Sequence, residues 1–187
     1  MTSSLVGSEM CIRDRELTAK YDIDILPLHI LLGENEFRDG KDITPERIFA
    51  WADANKATPK TSAPSLEDAK ALLQPYVEAG REVICFSISG SMSTSGNVMR
   101  LAAEEHPELT VKVFDSKSAS IGLGALAVQV ARYAVRGVAF DPLCELTKRL
   151  IDDTVVYFSL DTLEYLQRGG RIGRATALAG GLLQIKP

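Results

Sequence analysis

A chain of 187 residues, 45% hydrophobic and 25% charged, is long enough for one packed domain and the start of another. Its formal net charge of −4 argues against nucleic acid, whose binding draws on many phosphate contacts from Lys and Arg. Cys11, Cys85 and Cys144 lie too far apart to suggest a disulfide framework or a zinc site, and His29 and His106 leave little for His-dependent catalysis; no apolar run reaches the roughly 18 residues of a membrane span.

Residues 1–15 show no periodicity, no usable apolar segment and no secretory cleavage pattern. Met10-Cys11-Ile12-Arg13-Asp14 resembles a translated sequencing adaptor, so residues 1–15 are predicted to be a non-native segment outside the fold. Residues 16–21 read as a helix end, 23–32 (IDILPLHILL) as one strand, 33–36 as a turn and 37–40 as a second loop. Thr44 at the N-cap and Pro45 at the first helical position open a helix with Ile48, Phe49 and Trp51 on its apolar side. Residues 58–64 (TPKTSAP) are predicted to be neither helix nor strand, because Pro59 and Pro64 lack donors and restrict the residues before them. Ser65-Leu66-Glu67-Asp68 resembles a capping box for a helix running to about residue 79. Thr61 and Ser62 precede that helix without capping it and are candidate ligand contacts, although solvent-facing hydroxyls are the ordinary outcome.

Residues 83–88 form a short apolar run suited to a buried parallel strand. It ends in Ser89-Gly90-Ser91-Met92-Ser93-Thr94-Ser95-Gly96-Asn97, nine residues with five hydroxyls and two glycines, ahead of a helix from Val98. Such a loop is expected to offer free backbone N–H groups beside O–H donors, which suits a phosphate or a carboxylate. Ordinary Ser/Thr capping fits the spacing equally well. Neither a G-x-S-x-G elbow nor a P-loop lysine occurs there.

Residues 111–114 (VKVF) read as a second parallel strand, followed by the polar loop Asp115-Ser116-Lys117-Ser118-Ala119-Ser120. The helix at 121–135 is apolar almost all round, with Gly122, Gly124, Ala125 and Ala127 near its start. Those small residues serve either tight helix–sheet packing or the close approach of an acyl chain. Asp141-Pro142 opens a helix to about residue 151, residues 154–160 (TVVYFSL) read as a strand, and Asp161 to Leu166 begins a helix. Arg168-Gly169-Gly170-Arg171-Ile172-Gly173-Arg174 sets three arginines around three glycines, which suits phosphate or is a solvated basic loop. Residues 175–187 read as a short helix running into a strand.

Four stretches occur in an order and spacing that resemble the DegV family. They are Arg38-Asp39-Gly40 with Asp42-Ile43-Thr44-Pro45; Pro59-Lys60-Thr61-Ser62-Ala63-Pro64-Ser65; residues 115–124; and residues 161–173. Any one of them is weak, but four in order are specific. The resemblance implies an α/β fold: a parallel-sheet N-terminal domain with helices on both faces at 16–152, its first strand missing, then the start of a second α/β domain at 153–187. The chain is thus expected to be an internal fragment.

The resemblance also implies a protein that binds a long-chain fatty acid and presents its carboxylate to a fatty acid kinase partner, performing no chemistry itself. By match to the family motifs, Thr61 and Ser93 would hold the carboxylate, with Ser62, Ser91 and Thr94 as helpers. Ile121, Gly122, Gly124 and Ala125 would wall the acyl chain, and Arg168, Arg171 and Arg174 would meet the partner or a phosphate. Neither cofactor nor metal is expected; the location is expected to be cytoplasmic, with no nucleic acid and at most transient membrane contact. The alternative is a serine-dependent hydrolase or phosphate-handling enzyme using the Ser89-to-Ser95 loop, which requires a general base within hydrogen-bond reach.

Overall fold

Val83-Ile84-Cys85-Phe86-Ser87 is buried at every position, and the architecture is laid out around it. The computed structural model describes residues 4–8, 15–159, 161 and 164–171. In chain order these form β1 (Ser4–Ser8), α1 (Arg15–Tyr21), β2 (Ile23–Leu26), β3 (His29–Leu32), β4 (Asn35–Arg38), α2 (Pro45–Asn55) and β5 (Lys60–Ser62). α3 (Leu66–Ala79), β6 (Val83–Ser87), α4 (Ser95–Glu104), β7 (Val111–Asp115), α5 (Ile121–Val135), α6 (Phe140–Asp153) and α7 (Glu164–Arg168) follow. A four-stranded parallel sheet runs β2-β1-β6-β7, and a three-stranded antiparallel sheet runs β4-β3-β5.

Alternation along β6 divides the core into two layers. Val83 and Cys85 join Ala69, Leu73 and Tyr76 of α3 and Met99 and Ala102 of α4. Ile84 and Phe86 join Leu123, Leu126, Ala127 and Val130 of α5 and Leu143 of α6 on the other face. The helices present matching stripes. In α6 the buried residues are Phe140, Leu143, Cys144, Thr147 and Ile151, one face at helical spacing, and the Thr147 hydroxyl donates to the Leu143 carbonyl at 2.8 Å. α3 opens on the expected capping box: the Asp68 N–H donates to Ser65 Oγ at 3.0 Å and the Ser65 N–H to Asp68 Oδ2 at 3.3 Å. The Tyr76 hydroxyl, from the same helix, donates to Asp24 of β2.

The parallel sheet with helices on both faces is as expected, but several elements correct the sequence reading. Residues 1–15 do not all lie outside the fold, and the first strand is not missing: β1 sits between β2 and β6, with Val6 paired to Asp24 and to Cys85. Residues 23–32 are two strands. Pro27 has no N–H for the ladder, and at Pro27-Leu28 the chain leaves the parallel sheet for the antiparallel one. Residues 37 and 38 are strand rather than loop, because Gly33-Glu34 closes a hairpin that pairs Phe37 with Ile30 and Arg38 with His29. Lys60–Ser62 forms an edge strand on β3, with Pro59 and Pro64 flanking it, where prolines are tolerated. Residues 154–159 are not in a strand. The expected helix and strand at 175–187 lie outside the described residues.

The turn after β4 is stapled by the Arg38 guanidinium, which donates to Asp42 from Nε at 2.8 Å and from a terminal nitrogen at 3.2 Å. That hydrogen bonding holds the Asp42 carboxyl down to about 2.

The position of β1 is testable. Val6 is 1% exposed, so Val6→Asp would bury an unpaired charge at the centre of the sheet, a cost of several kcal/mol. The variant should lose its cooperative urea transition; a midpoint equal to the native protein's would show that β1 does not belong there.

Candidate functional site

The chain leaves β1 toward β2 on one side, while β6 continues to β7 on the other, so the strand order reverses between β1 and β6. In open α/β sheets the crevice outside the carboxyl ends of the strands at such a reversal is where ligands bind. The hydroxyl-rich loop leaves β6 at that edge. The loop starting at Asp115 leaves β7 there, and two residues separate the end of β2 from β3, bringing the antiparallel sheet to the same edge.

Within the hydroxyl-rich loop, the expectation of free backbone N–H groups is met only in part, because most of them are paired inside the protein. The Ser89 N–H donates to the Ser118 carbonyl at 2.8 Å and the Gly90 N–H to Asp115 Oδ2 at 3.0 Å. Met92 and Ser93 N–H both donate to the Ser89 carbonyl, at 2.9 and 3.1 Å, and the Ser95 N–H to Ser93 Oγ at 3.2 Å. Donors available to a ligand are therefore mainly hydroxyls. Ser93 Oγ lies 2.7 Å from Ser95 Oγ, and Ser89 Oγ 2.9 Å from Ser91 Oγ. With its oxygen already accepting the Ser95 N–H, Ser93 can turn its proton to Ser95 or to a ligand. Thr94 is exposed and makes no side-chain cap bond at the start of α4. Gly96 is required by close packing: a Cβ there would stand 2.7 Å from Ser87 Oγ, so α4 could not settle against the end of β6.

Thr61 and Ser62 are both exposed. The register sets Thr61 opposite Ile30 and Ser62 opposite His29, so the two hydroxyls leave opposite faces of β5. Thr61 shares its face with Ile30 and Phe37, which belong to the small cluster completed by Leu32, Ile43, Ile48 and Trp51. The basic segment touches both loops. An Arg168 terminal nitrogen lies 3.3 Å from Thr58 Oγ1, three residues before Thr61, and Arg171 Nε lies 3.4 Å from the Met92 carbonyl, next to Ser93. Arg174 lies outside the described residues.

The four residues expected to wall an acyl chain divide into two pairs. Ile121 and Ala125, four apart on α5, are exposed, Ile121 by 72%, whereas Gly122 and Gly124 are buried. A Cβ at Gly122 would stand 2.1 Å from Ser118 Oγ and 2.5 Å from a Val156 methyl, so the protein itself fills that approach. Val155, Tyr157 and Phe158, from the segment that packs there, are exposed along with Ile121.

Two features escaped the sequence reading. Asp115 fastens the hydroxyl-rich loop, and His29 lies between two carboxylates, its Nδ1 2.5 Å from Glu36 Oε1 and its Nε2 3.0 Å from Asp68 Oδ2. The Ser65/Asp68 half of that network carried a local signature; His29, 39 residues from Asp68, carried none. His106 lies beyond the C-terminal end of α4, its Nδ1 3.3 Å from Glu108, while the hydroxyl-rich loop is at the other end of that helix. Among the described residues, no cluster of three or more His, Cys, Asp or Glu is placed to hold a metal ion, and no helix is long and apolar enough to cross a membrane.

Residues 5–187 match the family model described as "Uncharacterised protein, DegV family". A DegV domain-containing protein of Clostridium acetobutylicum is 34% identical over 175 residues, which are 93% of this chain and 62% of the relative. The chain thus spans less than two thirds of that relative's length. A DegV family protein from Thermus thermophilus, described for its fatty acid binding, superposes with a TM-score of 0.91 at 34% identity over 100% of this chain and 66% of its own. A stearic acid-binding protein from Eubacterium ventriosum superposes at 0.86 with 33% identity over 99% of this chain and 65% of its own.

The cap of α3 generates a pH prediction. The Ser65 hydroxyl, with the Ser65 N–H and the His29 ring adding to it, holds the Asp68 carboxyl below its ordinary range. A carboxyl held low stabilises the fold above its unfolded pKa, and the contribution is lost as pH falls through the lowered value. Asp68→Asn should be less stable than the native protein at neutral pH and should lose less stability between about pH 5 and pH 2 in urea titrations. Parallel stability curves for the two proteins would show that the carboxylate contributes nothing.

Proposed function

The chain belongs to the DegV family, and from that premise we propose that it binds a long-chain fatty acid through its carboxylate and presents it to a fatty acid kinase partner without itself doing chemistry. One observation carries the headgroup reading: the loop leaving β6 pairs six of its nine amides inside the protein and leaves hydroxyls as its main donors. Neutral hydroxyls orient a singly charged carboxylate without tying up its oxygen atoms as a guanidinium fork would, so the acid stays available for transfer. The similar proteins from Thermus thermophilus and Eubacterium ventriosum, both described as binding fatty acids, support the same ligand class.

In this reading Thr61 and Ser93 donate to the carboxylate, while Ser91 and Thr94 shape the loop around it. Ser62, on the other face of β5, contributes less. The hydrocarbon lies along the exposed apolar surface near Ile121 and Ala125, where each buried CH₂ adds about 0.8 kcal/mol. Chain length then supplies most of the affinity and the hydroxyls supply the orientation. Arg168, Arg171 and Arg174 face the kinase partner or the phosphate it delivers.

Palmitate titrations test the headgroup site. A hydrogen bond to a charged group contributes about 1.5–3 kcal/mol, so Thr61→Ala and Ser93→Ala should each weaken binding about ten- to a hundredfold, and Ser62→Ala less. Unchanged palmitate affinity in both of the first two variants would move the carboxylate elsewhere. For the partner, Arg171→Ala should reduce phosphorylation of the bound acid by the kinase more than it reduces palmitate binding; equal losses would place Arg171 in the lipid site.

A further inference from the structure

The carboxylate of Asp115 lies directly behind the hydroxyl-rich loop. Asp115 ends β7 and pairs in register with Ser87, the last residue of β6. Its Oδ2 accepts the Gly90 N–H at 3.0 Å and its Oδ1 the Lys117 N–H at 2.8 Å. Gly90 stands between Ser89 and Ser91, and a Cβ on it would be 2.9 Å from Oδ2, so the contact depends on glycine there. Lys117 Nζ makes its close ion pair with Asp152, at 2.7 Å from Oδ1, and gives Asp115 only a weaker Coulomb attraction.

Resting on the carboxylate site proposed above, we infer that Asp115 is a specificity-determining residue that makes the loop select a singly charged headgroup over a doubly charged one. Two effects act together. Its oxygens consume amides that would otherwise point at a bound anion, removing the donors on which phosphate sites are built. Its own negative charge repels the ligand's, and that repulsion doubles for a dianion because Coulomb energy scales with the product of the charges. A carboxylate or sulfonate meets the smaller penalty; a phosphate monoester dianion meets the larger one.

Three sixteen-carbon probes separate charge from shape: palmitate, hexadecyl sulfonate and hexadecyl phosphate, titrated at pH 8 in the native protein, Asp115→Asn and Asp115→Ser. Sulfonate and phosphate share a tetrahedral head but differ in charge. The native protein should prefer the sulfonate over the phosphate by about tenfold or more, and both variants should cut that preference to a third or less, as expected when one like charge is removed nearby. A native protein that prefers the phosphate, or variants that fold and keep the native ratio, would overturn the inference while leaving palmitate binding intact. Should the native protein bind palmitate nowhere near Ser93, shown by full affinity in Ser93→Ala and Thr61→Ala, the carboxylate site itself fails and this selectivity with it. If neither variant folds, the native preference alone decides.

Discussion

β6 constrains everything else in this molecule. It is buried on both faces and hydrogen-bonded along both edges, to β1 and to β7, so neither its position nor its direction has freedom. A strand in that setting excludes polar side chains along its length, and those the chain carries must emerge where the strand stops. At Ser87 the hydroxyl reaches the Phe114 carbonyl at 3.4 Å, and the loop beyond opens at the reversal of strand order. Rigid β6 thus delivers a polar loop to the edge where α/β sheets bind ligands.

Close packing at that edge is what makes the loop a hydroxyl surface rather than an amide cradle. Gly96 lets α4 settle against Ser87, and Gly90 lets the loop reach Asp115. At Gly90 the absence of a side chain lets a backbone amide pair internally, and at Gly96 it lets the helix pack against the Ser87 side chain. Buried amides without partners would cost free energy, so their pairing stabilises the loop as well as defining which donors remain. The same principle acts in the opposite sense at Gly122. There the small residue admits Ser118 and Val156, and the space that could have received a ligand is taken by the protein.

The antiparallel sheet is joined to the parallel one by polar links rather than by a shared core. Its own cluster of Ile30, Leu32 and Ile43 is small and separate from the two large ones. The His29 ring spans from β3 to Asp68 at the start of α3, tying the hairpin to the cap of that helix, while the His29 backbone pairs in register with Ser62 on the strand that carries Thr61. Where Thr61 lies relative to the start of α3 therefore depends on the His29–Asp68 hydrogen bond as well as on hydrophobic packing.

What the sequence determined by itself was local. The apolar run at 83–88, the Ser65 capping box and the opening of α6 near Asp141-Pro142 are each written within a few neighbouring residues, so the local sequence reveals them. The family motifs were legible for the same reason. What the tertiary structure decided was pairing between distant segments. β5 has three residues and β1 only two large apolar ones between Ser4 and Ser8, too little for a pattern, and they are strands because β2, β6 and β3 supply partners. The break at Pro27 did carry a local signal, a proline without a ladder donor inside a strand-like run, but which sheet each half joins was settled only by their partners. Asp115 showed as one polar residue in a polar loop, and its hold on Gly90, 25 positions away, exists because β6 and β7 end in register. A hydrogen bond across that separation leaves no mark in either segment, since each partner's identity is compatible with many folds until the sheet brings the two together.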